Sequence, residues 1–196
     1  TVRKILKPIV EVLAGIPSVI VGYFALKFIA PNIVDPIFSP DQPRNMLVSG
    51  LAIGVLVVPI MASISEDALR AVPSSLREAS YGIGARKSTT TIRIVIPAAV
   101  SGIVAAFIIA TSRAIGETMV AAMAGGRDGS GPRTLNPLEP GLTMTAAMTN
   151  AAGGTDQVNS GAPFQVLFFV GLLLFLMTMT LNVIGDRFVQ RVRQQY

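Results

Sequence analysis

The sequence has no cysteine and no histidine. The first absence excludes a disulfide framework and thiolate chemistry, and the second removes the commonest metal ligand and the usual neutral-pH general base. Met144, Met148, Met177 and Met179 are therefore read as soft packing groups, since no Cys or His accompanies them. Charge is also scarce. Asp, Glu, Lys and Arg make up 14% of the residues, against about 25% in an ordinary soluble domain. No G-x-x-x-x-G-K-[ST] phosphate loop occurs, so ATP is not hydrolysed by this chain through that apparatus. What the chain has instead is apolar residues, 51% of the total, gathered into long runs. This composition points to a membrane protein.

Four runs are long enough to cross a bilayer, because about 20 residues at 1.5 Å rise span the roughly 30 Å hydrocarbon layer. They are predicted at Ile9 to Ala30, Met46 to Ser65, Pro97 to Ala124 and Phe164 to Ile184. In the first, Pro17 predicts a kink, since it deletes an i to i−4 hydrogen bond, and Glu11 and Lys27 are placed near opposite interfaces. Pro31 to Asn45 holds four prolines and reads as a non-helical loop. Gly50, Gly54 and Pro59 predict close packing or a bend in the second run. The third is longer than a perpendicular helix requires, which implies tilt or emergence from the membrane. Residues 125–162 form a Gly/Pro/Asn-rich connection in which Leu142 to Ala152 can make a short helix, ended by Gly153 and Gly154. Phe164, Phe168, Phe169 and Phe175 are expected to pack the last span. The start, TVRKILK, is neither an initiator Met nor a signal peptide, and the chain is read as a piece of a longer protein.

Charge placement sets the orientation. One side carries Arg3, Lys4, Lys7, Arg70, Arg77, Arg86, Lys87, Arg93, Arg187, Arg191 and Arg193; the other carries only Arg44, Arg127 and Arg133. Under the positive-inside rule both termini and the segment Pro73 to Pro97 are cytoplasmic. This accounts for the net charge of +5 without nucleic acid.

That segment, PSSLREASYGIGARKSTTTIRIVIP, is a polar island between two apolar runs. It has the pattern of two short helices. Ser75 is expected to cap the first, with Glu78 in capping-box position and Gly82 and Gly84 stopping it. Ser88 or Thr89 is expected to cap the second, and Pro97 to open the next run. Glu78-Ala79-Ser80, three residues, Gly84, nine residues and then Ile94-Val95-Ile96-Pro97 resembles the E-A-A…G…I-x-L-P signature of ABC importer permeases. Ser80 replaces the second alanine and Ile96 the leucine. The resemblance implies an all-α, polytopic membrane protein with the type I ABC importer permease fold, residues 1–196 forming a partial transmembrane domain with four of the usual six helices. It further implies that residues 73–97 form a cytoplasmic coupling segment, in which Glu78, Ala79, Ser80, Tyr81, Gly84 and Pro97 transmit movement from a separate ATPase dimer. Tyr81 is equally compatible with an ordinary half-exposed aromatic, and Glu78 and Gly84 also have purely local roles as cap and turn.

The second informative stretch is SRAIGETMVAAMAGG, Ser112 to Gly126. Arg113 lies inside the third run, and Glu117, four residues later, is expected on the same helical face. An intramembrane Arg or Asp costs roughly 2.5–3.5 kcal/mol on insertion scales, so the two should face each other, a protein interior or a wet path. One reading is a structural pair that fixes packing. The other is an anion path, since the guanidinium fork matches an oxyanion and a neighbouring carboxylate moderates its grip. Residue chemistry alone leaves phosphate, sulfate and molybdate open.

Arg113-Ala114-Ile115-Gly116-Glu117-Thr118-Met119, Gly102-Ile103-Val104 and Glu11 to Val19 resemble the phosphate-specific ABC permeases, and Met119 with Ala124-Gly125-Gly126 is more similar to the PstC-like group than to PstA-like partners. What this implies is a permease subunit for inorganic phosphate in a bacterial inner membrane. It would work with a second, PstA-like permease subunit, a cytoplasmic ATPase dimer and an external phosphate-binding protein, to which Arg127, Asp128 and Arg133 are candidate contacts. The implied role carries no catalytic residue, bound cofactor or metal. A sulfate or molybdate permease and a non-transporting membrane scaffold are the alternatives.

Overall fold

The computed structural model describes residues 2–126, 135–153 and 162–192. Among these are eight helices. α1 is Val2–Ala14, α2 Ser18–Phe38, α3 Met46–Arg70, α4 Ser74–Gly82, α5 Lys87–Ile115, α6 Met119–Ala124, α7 Met144–Gly153 and α8 Ala162–Val192. Four are long and apolar enough to cross a membrane: α2, α3, α5, and α8 over Gln165–Arg187. The fold is all-α and polytopic, as the apolar runs predict.

The ends of the first span differ from expectation, and prolines are the reason. Pro17 is not a kink within a helix. It sits in an extended conformation (φ −59°, ψ 136°) between α1 and α2, and its carbonyl accepts from Ile20 and Val21 N–H. Pro31, expected to begin a loop, is carried inside α2 by a π-helical stretch, Ala25–Val34. The wider i to i+5 turn re-registers the backbone around a residue that lacks an N–H. Pro97 stands in the first turn of the α-helical segment Ile96–Ile115, as expected, but that segment continues directly from a π-helical stretch, Thr91–Val95, inside α5. Lys27 is thereby moved from a predicted interface to the middle of α2, where it is exposed.

The third apolar run is not one long tilted helix. α5 stops at Ile115, residues 116–118 are non-helical, and α6 then packs between α2 and α3. This wedge completes the main core. Val21, Ala25, Ile29, Ala30 and Val34 of α2 meet Val48 and Ala52 of α3 and Val120 and Ala124 of α6. Outside the spans, the stretch around residues 135–141 lies across the start of α3. The Glu139 and Pro137 carbonyls accept from Met46 and Leu47 N–H at 3.2 and 2.8 Å, while the buried Asn45 side chain accepts from Val48 N–H at 2.9 Å. Three of the four orphan donors of that helix end are thus satisfied. Gly153 ends α7 near the predicted position. On α8, Phe168, Phe169 and Phe175 are about 60% exposed rather than packed within this chain, and the side chain of Phe164 lies outside the described residues.

Close helix approach is found at Gly102, not at Gly50 or Gly54. A Cβ added at either of the latter meets nothing within 4 Å, whereas one at Gly102 falls 2.4 Å from Ala68 Cβ, where α5 crosses α3. Gly102→Val must push these two spans apart at a cost of about 1–3 kcal/mol, so the purified protein should lose several degrees of thermal stability. Gly50→Ala, assayed the same way, should leave the midpoint nearly unchanged.

Candidate functional site

Two places carry chemistry. The first is the hairpin made by α4 and the start of α5. Its helix starts are not the predicted ones: α4 begins after Pro73 and α5 after Arg86, neither with a side-chain cap, and Ser75, Ser88 and Thr89 sit within the first turns. The turn between them is the predicted glycine stop. Gly84 has φ +84°, with its N–H bonded to Tyr81 carbonyl (2.9 Å) and Ala85 N–H bonded to Ser80 carbonyl (3.1 Å). This is the paired 5→2 and 6→1 arrangement of a Schellman ending, with glycine at its left-handed position.

Ser80 is the residue that joins the two arms. It is 3% exposed, Thr90 is 1% exposed, and their hydroxyls lie 2.8 Å apart. Thr90 O–H donates to the Arg86 carbonyl at 3.2 Å, which leaves Ser80 as donor to Thr90. On the other side, Arg77 Nη2 donates to the Leu69 carbonyl in the last turn of α3 at 2.7 Å. Beneath the hairpin, Val72, Val95 and Ala99 form a small core with Leu69, Leu76, Ala98 and Ile103 against it. The hairpin is therefore bonded to the ends of both neighbouring spans. Its outer surface is left to Glu78, Ala79 and Tyr81, and at its tip Ile83 is 85% exposed. Ile83, not singled out in the sequence, is an apolar side chain that nothing in this chain covers among the described residues.

The second place lies between α5 and α8. Arg113 is exposed toward an open groove of about 530 Å³, lined also by Ser112, Gly116, Thr178 and Asn182. Glu117 does not share its helical face. α5 ends between the two, at Ile115; Glu117 is 7% exposed in the break, and its backbone carbonyl accepts from the buried Thr145 hydroxyl of α7 at 2.9 Å. Among the described residues no ion pair joins Arg113 to Glu117. Gly116 breaks the register that the i, i+4 spacing presumed. Asn182 was missed in the sequence; the signal was a spacing of four, Thr178, Asn182 and Asp186, along one side of an apolar span. No group of three or more Asp or Glu that could hold a metal occurs among the described residues. Arg127, Asp128 and Arg133 lie outside the described residues.

The family described as binding-protein-dependent transport system inner membrane component matches residues 1–195. The chain is 34% identical to the phosphate transport system permease protein PstC 1 of Mycobacterium tuberculosis, across 94% of this chain and 60% of that protein. It is 31% identical to the probable ABC transporter permease protein YqgH of Bacillus subtilis, across 90% and 55%. The chain thus spans less than two thirds of the length of these curated relatives. Its fold is similar to that of a chain of the MetNI methionine ABC transporter in an inward-facing conformation, with a TM-score of 0.73 and 22% identity over 99% of this chain and 77% of that one.

The geometry at Gly84 separates conformation from bulk. An added Cβ there meets nothing within 4 Å, but φ is positive, a state that costs an ordinary L-residue about 1–2 kcal/mol. Gly84→Val should lower the thermal midpoint of the purified protein by several degrees, and Gly84→Asn, which tolerates the left-handed region, should lose much less. Equal loss in both variants would assign the effect to added bulk rather than to backbone strain.

Proposed function

Because the chain belongs to the family of binding-protein-dependent transport system inner membrane components, we propose that it is a permease subunit of an ATP-driven importer of inorganic phosphate. Phosphate is favoured by the names of several relatives, among them phosphate transport system permease proteins of Mycobacterium and Mesorhizobium. The observation that carries the reading is Arg113. A guanidinium inside an apolar span, facing a groove and bonded to no carboxylate among the described residues, keeps its donor fork available to an oxyanion.

On this reading the chain lines half of a membrane path, a PstA-like permease subunit supplies the other half, and an external binding protein delivers phosphate. Residues 73–97 seat on a cytoplasmic ATPase dimer through Glu78, Ala79, Tyr81 and Ile83. ATP binding closes that dimer and draws the hairpin inward. Ser80, Gly84 and Pro97 act inside the lever: Ser80 ties its arms, Gly84 forms its turn, and Pro97 follows the π-helical stretch that joins it to α5. The ends of α3 and α5 then follow, because Arg77 and the small apolar core bind them to the hairpin. Hydrolysis on the ATPase subunits resets the path. Glu117, buried in the break below Arg113, tunes the local field without neutralising the guanidinium in an ion pair.

The test is phosphate flux in proteoliposomes holding the complete permease–ATPase complex, normalised to assembled complex and competed by sulfate and molybdate. Charge-assisted hydrogen bonds contribute about 1.5–3 kcal/mol, so Arg113→Gln should lower normalised flux at least about tenfold, with Arg113→Lys intermediate because it keeps charge but loses the fork. Unchanged flux in Arg113→Gln sinks the path assignment. Stronger competition by sulfate or molybdate than by unlabelled phosphate transfers the cargo to that anion. Assembly without ATP-dependent uptake of any anion leaves a scaffold.

A further inference from the structure

We propose that Asn182 is a second anion-contacting residue of the path, a neutral donor held in orientation beside Arg113 by the hydroxyl of Ser112. This rests on the anion-permease reading above and adds to it a residue and a role. Ser112 Oγ donates to Asn182 Oδ1 at 2.6 Å, bonding α5 to α8. The carbonyl oxygen of an amide only accepts, so Ser112 is the donor in this bond. Both N–H donors of Nδ2 are then directed away from Ser112.

Those donors lie within an apolar span and on the surface of this chain. Hydrocarbon offers an amide no partner, so this side of α8 is built to face acceptors. Ser112 and Asn182 also belong to two adjoining clefts. One is the groove with Arg113, Gly116 and Thr178; the other, of about 300 Å³, continues past Ala105, Ile108 and Gly185 to Asp186. Asn182 stands where the two meet.

An oxyanion leaving Arg113 toward Asp186 exchanges a cation for neutral N–H donors before it meets a carboxylate. A graded series of this kind solves the release problem. A lone guanidinium strong enough to draw the anion in would also hold it, whereas a neutral amide one step away offers bonds of roughly half that strength.

The experiment uses the complete complex in proteoliposomes and reads phosphate flux per assembled complex and phosphate moved per ATP hydrolysed. Asn182→Leu keeps the size and removes both donors; flux per complex should fall about three- to tenfold, with fewer phosphates moved per ATP. Asn182→Asp keeps the shape but sets a negative charge in the path, and should fall further than the leucine variant. Asn182→Gln or Asn182→Ser, which keep donors, should recover part of the loss. Ser112→Ala should give a smaller loss by freeing the amide to turn, and adding it to Asn182→Leu should cost nothing more. Wild-type flux per complex in both Asn182→Leu and Asn182→Asp, or a loss of assembled complex without a change in normalised flux, overturns the proposal and makes Asn182 a packing bond. Insensitivity of flux to Arg113→Gln overturns the anion-path reading itself, a separate outcome.

Discussion

In hydrocarbon every backbone N–H and C=O must find a partner within the protein, and the way this chain meets that demand decides where its functional groups stand. A helix meets it automatically; a break does not. The break at residues 116–118 is tolerated because Gly116 and Glu117 N–H bond back to Ser112 and Ala114 at 3.2 Å each, and because Thr145 on α7 donates to the freed Glu117 carbonyl. With that cost met, α6 turns away from α5 and wedges between α2 and α3. Arg113 is left at the end of α5, beside the middle of α8, facing a groove.

The same accounting governs the other end of the spans. The last turn of α3 has carbonyls without intrahelical partners, and one of them, Leu69, is taken by Arg77 of the hairpin. Arg77 thereby serves the helix end and ties the hairpin to it, in a direction that also suits a cation at a helix C-terminus. The Ser80–Thr90 bond has a similar double character. In the signature that this segment resembles, position 80 is alanine; here a serine and a threonine, both buried, satisfy each other across the turn. A buried hydroxyl pair of this kind holds well when both members are present and is costly when one is lost.

Much of this was legible in the sequence, and the misses share a cause. Length and apolar density found four spans, and the spacing from Glu78 to Pro97 found the hairpin and its glycine turn, because a positive φ at Gly84 is a local requirement that residue type reveals. Proline was misjudged twice. Pro17, read as a kink, lies between two helices, and at Pro31 the local rule says helix end but a π-helical stretch carries it inside a span; both outcomes depend on neighbours that a sequence does not display. The third run failed for a related reason. Ile96 to Ala124 is apolar almost throughout, so its hydropathy does not mark the break at Gly116, which depends on Thr145, a residue 28 positions further on. The predicted shared face of Arg113 and Glu117 assumed a helix that ends between them.

The separation of those two charges bears on how an anion path would work. A guanidinium fully paired to a carboxylate is cheap to bury but has little attraction left for cargo; one held apart keeps that attraction and is expensive to leave in lipid. α8 carries Thr178, Asn182 and Asp186 along the same side, none of its apolar window is buried by this chain, and Arg113 opens onto it. On the permease reading, such a surface is stable only when water or a second polar surface covers it. On that same reading, the position best suited to a second permease subunit is against α5 and α8, where covering the guanidinium and enclosing a path would be one event.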